Sequence, residues 1–417
     1  MPDNTIEWGQ GAVNNSNDWG KAKANATNNF GAVYDDSPSG DTNIAGGSAV
    51  ALRITYSASA FCEDASDPTP TVTGNVGVGT FSSTAGLVFI SATTGEVDID
   101  ASTSGATYVI TYTDTNAATA TFNLTINALD DAAFSYSDSS YPQNFPDPTP
   151  TITGLAGGTF SGSTGLVIDS STGVIDLDAS TIASHTVTYD TTSSGSSVCP
   201  NTSTQTVNVL AALLQVNNVY SMEFDTLIDE SVSAGNTLTN GFSQLSISFW
   251  ANFASVPTNR VLGLASKDDT NQRSFDFRYI QNTGVNFLVS TDGVNNGQTA
   301  YYPKASISAG QWYHFVGVYD GSNVLLYVNG ALFDGTSTLT GSLQNTTSEF
   351  FIGKRGFGTT NTGFDGKLDE VAVFNTALTE LEVKKIYYAT EDVSGVSKTA
   401  DLNDLTTPPV KWYRMGD

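Results

Sequence analysis

The sequence predicts an all-β protein: an extended amino-terminal arm, two tandem β-sandwich repeats, and a larger antiparallel β-domain closed by one short helix. Three observations carry this. Short runs rich in Val, Ile, Thr and Tyr alternate apolar with polar residues and are separated by Gly, Asp and Ser clusters, the pattern of half-buried strands. A block of about 75–80 residues occurs twice, the mark of a duplicated structural unit. Only one stretch, Glu380–Tyr388, follows a helix start signal, Thr379-x-x-Glu382, a capping box.

Composition narrows the function classes. The 417 residues hold 16 Lys+Arg against 42 Asp+Glu, a net charge of -26 with only 14% charged side chains. Such a surface repels nucleic acid and anionic membranes, both of which need clustered Lys and Arg. No run of 18 apolar residues is present, which excludes a transmembrane helix. Two Cys and two His offer neither a disulfide scaffold nor much for zinc. The start, Met1-Pro2-Asp3-Asn4, lacks the basic flank and apolar stretch of a secretory signal.

The arm comes first. Residues 1–47 have no hydrophobic periodicity, but Trp8-Gly9, Trp19-Gly20 and Phe30-Gly31 recur at 11-residue spacing. Solitary aromatics in a polar, glycine-punctuated segment cannot build a core. At fixed intervals they can dock into successive equivalent pockets, Gly allowing close backbone approach. Trp8, Trp19 and Phe30 are therefore the expected anchors of an arm that orders on a larger assembly; a disordered leader is the alternative.

The repeats occupy 48–132 and 133–213. Asp67-Pro68-Thr69-Pro70 matches Asp147-Pro148-Thr149-Pro150, Gly79-Thr80-Phe81 matches Gly158-Thr159-Phe160, and Thr111-Tyr112 matches Thr188-Tyr189. Thr94-Gly95-Glu96-Val97-Asp98-Ile99-Asp100 matches Thr172-Gly173-Val174-Ile175-Asp176-Leu177-Asp178. Residues 48–213 carry one basic residue, Arg53, against 15 acidic ones, so this block holds more than half of the net charge. The copies resemble the immunoglobulin-like and cadherin-like repeats of large bacterial and phage surface proteins. Glu96-Val97-Asp98-Ile99-Asp100 is similar to the Glu-x-Asp-x-Glu strand of laminarinase-type glycosidases, but the second copy has Val174 in place of Glu96. A pair that decays in one copy points away from catalysis. Calcium at Asp98/Asp100 and Asp176/Asp178 is a further reading, behind plain solvated acidic strand faces. Cys62 opens the first copy and Cys199 lies near the close of the second. A bridge would have to span the tandem, so two unpaired thiols in a reducing compartment are expected.

The third block, 214–390, is nearer charge balance, with ten basic and 16 acidic residues. Trp312–Tyr319 runs through Asp320-Gly321 into Asn323–Val328, which turns at Asn329-Gly330. Both dipeptides suit tight hairpins, so a three-strand meander is expected. Phe224-Asp225, Ser246-Ile247-Ser248-Phe249-Trp250, Trp312-x-His314, Leu326-Tyr327-Val328-Asn329-Gly330 and Asp365-Gly366-Lys367-Leu368-Asp369-Glu370-Val371, in this order, resemble the laminin-G-like, concanavalin A-type jelly-roll family. The resemblance implies two curved antiparallel sheets and a binding role toward glycans or proteins. It also implies a calcium site at Asp225 and Asp369, against which stands hydrogen bonding of Asp369 to a neighbouring loop. Asp369 and Glu370, being adjacent, are expected to point to opposite sheet faces, which argues against a hydrolytic pair. His314 reads as a satisfied core or edge residue. Tyr301, Tyr302, Arg273, Arg278, Lys354 and Arg355 are candidates to stack on or grip a sugar, with ordinary sheet surface as the alternative, so the glycan-binding residues stay unassigned.

Residues 391–417 are expected to be a polar linker or docking peptide. The ending Trp412-Tyr413-Arg414-Met415-Gly416-Asp417 and the arm's Trp-Gly repeats resemble segments of tailed-phage virion proteins. That resemblance implies a non-enzymatic fibre or capsid decoration protein on the virion. The arm would bind other virion proteins and the jelly roll host-surface glycans, with possible homo-oligomers and no nucleic-acid or membrane partner. A bacterial surface or secreted carbohydrate-binding protein and a glycoside hydrolase are the alternatives.

Overall fold

The computed structural model describes residues 51–415 except 75–76, 226–229, 294–297, 338, 358–361 and 394–395. Trp8, Trp19 and Phe30 lie outside the described residues. The chain divides into two compact units: one joins residues up to Asp131 with Ser194–Asn201, the other joins Ala132–Ser193 with Thr202 onward.

The two repeats share one topology. In the first, a sheet runs in the order Ala60–Cys62, Thr119–Asn127, Ala106–Thr113, Thr80–Ser83; in the second, Ser140–Pro142, Thr202–Leu210, Ala183–Asp190, Thr159–Gly162. In each, the opening strand pairs parallel and the others antiparallel. Each core is the inward half of these strands: Phe81, Val97, Ile99 and Tyr112 in one, Phe160, Ile175, Leu177 and Tyr189 in the other. Burying each such side chain contributes about 1.5–3 kcal/mol.

The repeated polar residues hold these small sandwiches together. Asp67 and Asp147 accept from the amides of Ile99 and Leu177 at 2.8 and 3.0 Å. Asp98 and Asp176 accept from the amides of Ala101 and Ala179 at 3.0 and 2.9 Å, closing turns. Asp176 stays exposed and Asp98 half-buried, in keeping with the solvated faces expected from sequence, and both also fold the backbone. Gly79 and Gly158 donate their amides to the hydroxyls of Tyr112 and Tyr189, both at 2.9 Å. A side chain at Gly158 would meet the Asp190 carbonyl at 2.3 Å and the Tyr189 ring at 2.8 Å, so glycine is required there.

The cysteines correct the expectation of free thiols. Cys62 and Cys199 form a disulfide across a sequence separation of 137 residues. Ser194–Asn201, an excursion between strands of the second repeat, belongs to the first unit. Asp130 accepts from the Ser197 hydroxyl at 2.6 Å, and the Asn201 amide donates to the Asp130 carbonyl at 2.9 Å. Sequence distance hid the pairing, because the chain returns to its first unit only in three dimensions.

The large domain is a concanavalin A-like jelly roll. One sheet orders Met222–Phe224, Gly366–Phe374, Leu245–Phe253, Trp312–Tyr319, Asn323–Val328 and Ala331–Ser337. The other orders Val232–Ser233, Phe351–Ile352, Val261–Lys267, Phe275–Ile280, Gly284–Val289 and Gln298–Pro303. Phe249, Phe277, Phe287 and Phe315 fill the space between them. The meander turns at Asn329 and Gly330 with φ of 50° and 81°, as a two-residue hairpin of the mirror-image type requires.

The first sheet's outer face is covered. The Glu380–Tyr388 helix, opened by the Thr379/Glu382 capping box, buries Val383 and Ile386 there against Val316, Val318, Ala372 and Phe374. The tail completes the cover and is therefore neither linker nor loose peptide. Val396–Ala400 pairs with Gln215–Asn217, and Lys411–Tyr413 pairs with Val371–Val373, beside the opening strand on the same edge. Leu402 and Leu405 are buried under it. A bulge at Asp369–Glu370, where Glu370 has a φ of 52°, overturns the opposite-faces expectation. With Leu368 and Val371 both in the inner core, the two acids share the outer side. Glu370 there accepts from Trp412 Nε1 and, at 3.1 Å, from the Thr399 hydroxyl.

Candidate functional site

With one sheet covered, the outer face of the other is the surface to read for function. On the Phe275–Ile280 strand, Phe275, Phe277 and Tyr279 enter the core, so Asp276 and Arg278 stand on the outer side. The register aligns Arg278 with Asn286 on the next strand and Asn286 with Tyr301 on the edge strand. These three residues form one row across the sheet. Arg278 also stands opposite Gly263, and that glycine lets the 354–355 backbone cross directly above. A Cβ at Gly263 would lie 2.2 Å from the Lys354 carbonyl carbon and 2.3 Å from the Arg355 nitrogen.

The crossing delivers Arg355 between two carboxylates. Its Nε donates to Asp276 at 2.9 Å and its Nη2 to Asp268 at 2.6 Å. Arg278 Nη1 donates to the same Asp276 oxygen at 2.9 Å, and Arg273 Nε to Asp268 at 2.8 Å. Both aspartates are 0% exposed. Burial pushes the Asp276 carboxyl above its ordinary range, opposed by Arg355 and Arg278. Arg278 Nε is buried without a hydrogen-bond partner. Tyr301 is 48% exposed at one end of this face. Phe357 is 39% exposed beyond Arg355, whose guanidinium lies 5.3 Å from its ring. Three arginines thus face two carboxylates in a strongly acidic chain.

The other sequence candidates divide. Tyr302, proposed with Tyr301, turns inward and packs on Phe315 and Phe333 at 5.9 and 4.7 Å, because neighbouring strand residues face opposite sides. Lys354 sits over Phe351 at 5.0 Å. His314 is buried between Trp250 and Tyr387, meets the Ser248 hydroxyl at 2.9 Å, and is pushed down to about 3 by burial. It is a neutral packing residue. Sequence reading overlooked Asp276, whose only signal was a charge on the aromatic-rich Phe275–Ile280 strand, Asp268, which follows the Val261–Lys267 strand, and Asn286.

Asp225 and Asp369 are not brought together. Phe224 pairs with Gly366 and Met222 with Leu368, which sets the two acids at opposite ends of that pairing, roughly 13 Å apart along the strand at the usual rise per residue. Asp369 is buried and accepts from Asn218 Nδ2 at 2.8 Å. The strand pairing expected to unite them exists, but its register separates them. Among the described residues no cluster of three His, Cys, Asp or Glu is placed to hold a metal.

Comparison with known proteins agrees with this fold. Residues 226–384 match the concanavalin A-like lectin/glucanases superfamily profile, Laminin_G_3. A search of curated proteins finds no match. Among solved structures, a Bacteroides ovatus protein proposed to bind carbohydrate is similar at 14% identity and TM-score 0.35, over 68% of this chain and 90% of that one. Domain 4 of AbnA, an extracellular arabinanase from Geobacillus stearothermophilus in complex with arabinotriose, is similar at 16% and 0.27, over 41% and 85%. The NanB sialidase of Streptococcus pneumoniae is similar at 17% and 0.34, over 42% of this chain and 28% of that one.

Proposed function

We propose that the chain is a non-catalytic glycan-binding protein whose jelly roll is the binding head, whose sandwich repeats are spacers, and whose residues 1–47 anchor it to a tailed-phage particle. One observation carries the glycan reading. The domain matching the lectin superfamily has one sheet roofed by helix and tail, while the outer side of the other presents the rings of Tyr301 and Phe357, with Arg278 partly exposed on the same side. Exposed aromatic rings offer apolar area to the C–H face of a sugar, and a guanidinium hydrogen-bonds its oxygens. Asp268 and Asp276 converge, but on Arg355, which leaves neither carboxylate placed across a cleft for hydrolysis.

A glycan panel probed with the full chain tests the binding reading; retention of no glycan would sink it, and release of reducing sugar would make the protein a hydrolase. The virion placement rests on the resemblance of the arm and ending. It predicts that the chain is a stoichiometric particle component, lost when residues 1–47 are deleted. The Cys62–Cys199 disulfide favours a second reading, a bacterial surface or secreted carbohydrate-binding protein, since such bonds persist in oxidising compartments. Recovery from the bacterial surface, with none on particles, would select it.

A further inference from the structure

We infer that the glycan lies across the open edge of the jelly roll, on a strip formed by Tyr301 and Phe333, and is a neutral chain of all-equatorial sugars, with Asp334 as the residue that selects against acidic ones. This deepens the glycan reading and rests on it. The strip is built where the two sheets end. Gln298–Pro303 is the last strand of one sheet and Ala331–Ser337 the last of the other. The two edges meet, because the Tyr301 amide donates to Asp334 Oδ2 at 2.8 Å and the Tyr302 ring packs on Phe333 at 4.7 Å. Tyr301 and Phe333 are each 48% exposed. Phe333 is the extra residue of a bulge, since Tyr327 pairs with Leu332 and Leu326 with Asp334. A bulge at a sheet edge re-aims a side chain, and this one leaves half a phenyl ring in solvent beside the Tyr301 strand.

This edge is closed to a further strand. The Tyr301 amide is taken by Asp334, and Pro303, two residues on and on the same side of the backbone, has no amide to offer. The bulge interrupts the facing edge. Each feature blocks strand addition, so the exposed rings are no seat for a β-strand of a second copy. The partner that fits stacks on aromatic faces and needs no backbone ladder. A sugar with equatorial hydroxyls has that chemistry, with C–H groups on both faces and hydroxyls around the rim.

Asp334 supplies the charge of the strip. Its carboxylate is half-buried and held from two sides, Oδ1 by the Gly335 amide at 2.9 Å and Oδ2 by the Tyr301 amide. An ionised carboxylate only accepts, and it has lone pairs beyond these two bonds. It therefore takes a sugar hydroxyl and repels a sugar carboxylate. The chain's net charge of -26 acts in the same direction.

The test titrates the full chain with cellohexaose, a flat all-equatorial neutral chain, and with oligogalacturonate of the same length. Cellohexaose is expected to bind at least about tenfold tighter. What oligogalacturonate binding there is should strengthen as salt screens the repulsion. Tyr301→Ala and Phe333→Leu are each expected to weaken cellohexaose about tenfold. Phe333→Tyr should bind like the parent, and Leu keeps the apolar contact with Tyr302, so a parental melting profile separates lost stacking from lost fold. Asp334→Asn is expected to narrow the preference for the neutral probe. Oligogalacturonate bound as tightly as cellohexaose, or weakened by salt, overturns the neutral assignment and leaves the glycan reading standing. Parental affinity of Phe333→Leu overturns the strip, as does a dimer in sedimentation that Tyr301→Ala dissolves. Retention of neither probe overturns the inference; retention of nothing on the wider glycan panel ends the glycan reading with it.

Discussion

Arg355 is the residue whose loss the structure prices most directly. Replacing it with Met keeps much of its volume and removes the one group that touches both Asp268 and Asp276. The two carboxylates are 0% exposed, so solvent cannot take over. Arg273 and Arg278 still hold one each, but the charge that offset their mutual repulsion is gone. Breaking a buried ion pair from one side costs about 3–5 kcal/mol, and the same figure applies to Arg355→Met at neutral pH. The pH dependence has a definite sign. The Asp276 carboxyl lies above its unfolded value because of burial, and losing Arg355 raises it further. A raised carboxyl binds its proton more tightly when folded, so stability falls as pH rises from the unfolded value through the folded one. The deficit of Arg355→Met should be largest well above that window and shrink in acid. Urea unfolding at several pH values, followed by tryptophan fluorescence and compared through midpoints at constant m, measures it. Trp250, Trp312 and Trp412 report the jelly roll. A loss below about 1 kcal/mol at pH 8, or one that grows in acid, refutes the account, because a merely exposed surface pair is worth no more than that.

Lys267 is buried and donates to the Leu238 carbonyl at 2.9 Å and to Asn240 at 2.6 Å, and burial pushes it down to about 8. Stability of the parent should therefore rise as pH increases from about 8 toward the unfolded lysine value, a slope that Lys267→Met should lack in paired pH-dependent melts. Glu370→Ala removes the acceptor of Trp412 Nε1 and the Thr399 hydroxyl and should cost about 2–4 kcal/mol through buried donors left unpaired. Hydrogen exchange should quicken at Val371–Val373, the strand that the Lys411–Tyr413 segment covers; unchanged exchange would contradict the role given to Glu370. Gly158→Ala forces a methyl group against the Asp190 carbonyl and the Tyr189 ring and should cost about 3 kcal/mol. Calorimetry on the full chain should show one transition lowered and the rest unmoved.

Local chemistry made much of the architecture legible in advance. Alternation marked the strands, the Asn329-Gly330 hairpin announced its own turn, and Thr379 with Glu382 opened the helix where it was expected. The duplication was readable because both copies need the same few residues for one job: Asp67 and Asp147 on a backbone amide, Gly79 and Gly158 beneath a tyrosine. The sugar-facing candidates were half legible. Arg273, Arg278, Arg355 and Tyr301 were visible as residue types, but Tyr302 looked equivalent to Tyr301 until the strand pleat turned it inward.

Tertiary structure decided the rest, for one physical reason. Side-chain environment at long range is set by register and chain return, which local periodicity does not encode. Cys62 met Cys199 because Ser194–Asn201 joins the first unit. Asp225 and Asp369 fell apart because the pairing is offset. A single extra residue in the last long strand put Asp369 and Glu370 on one face and gave the tail an anchor. Arg355 reached Asp276, 79 residues away, only because Gly263 has no side chain to hold the crossing loop off the sheet. The sequence by itself determined an all-β chain with a duplicated sandwich and a jelly roll. Only the packed structure selected which face of that jelly roll stays open and which charges meet on it.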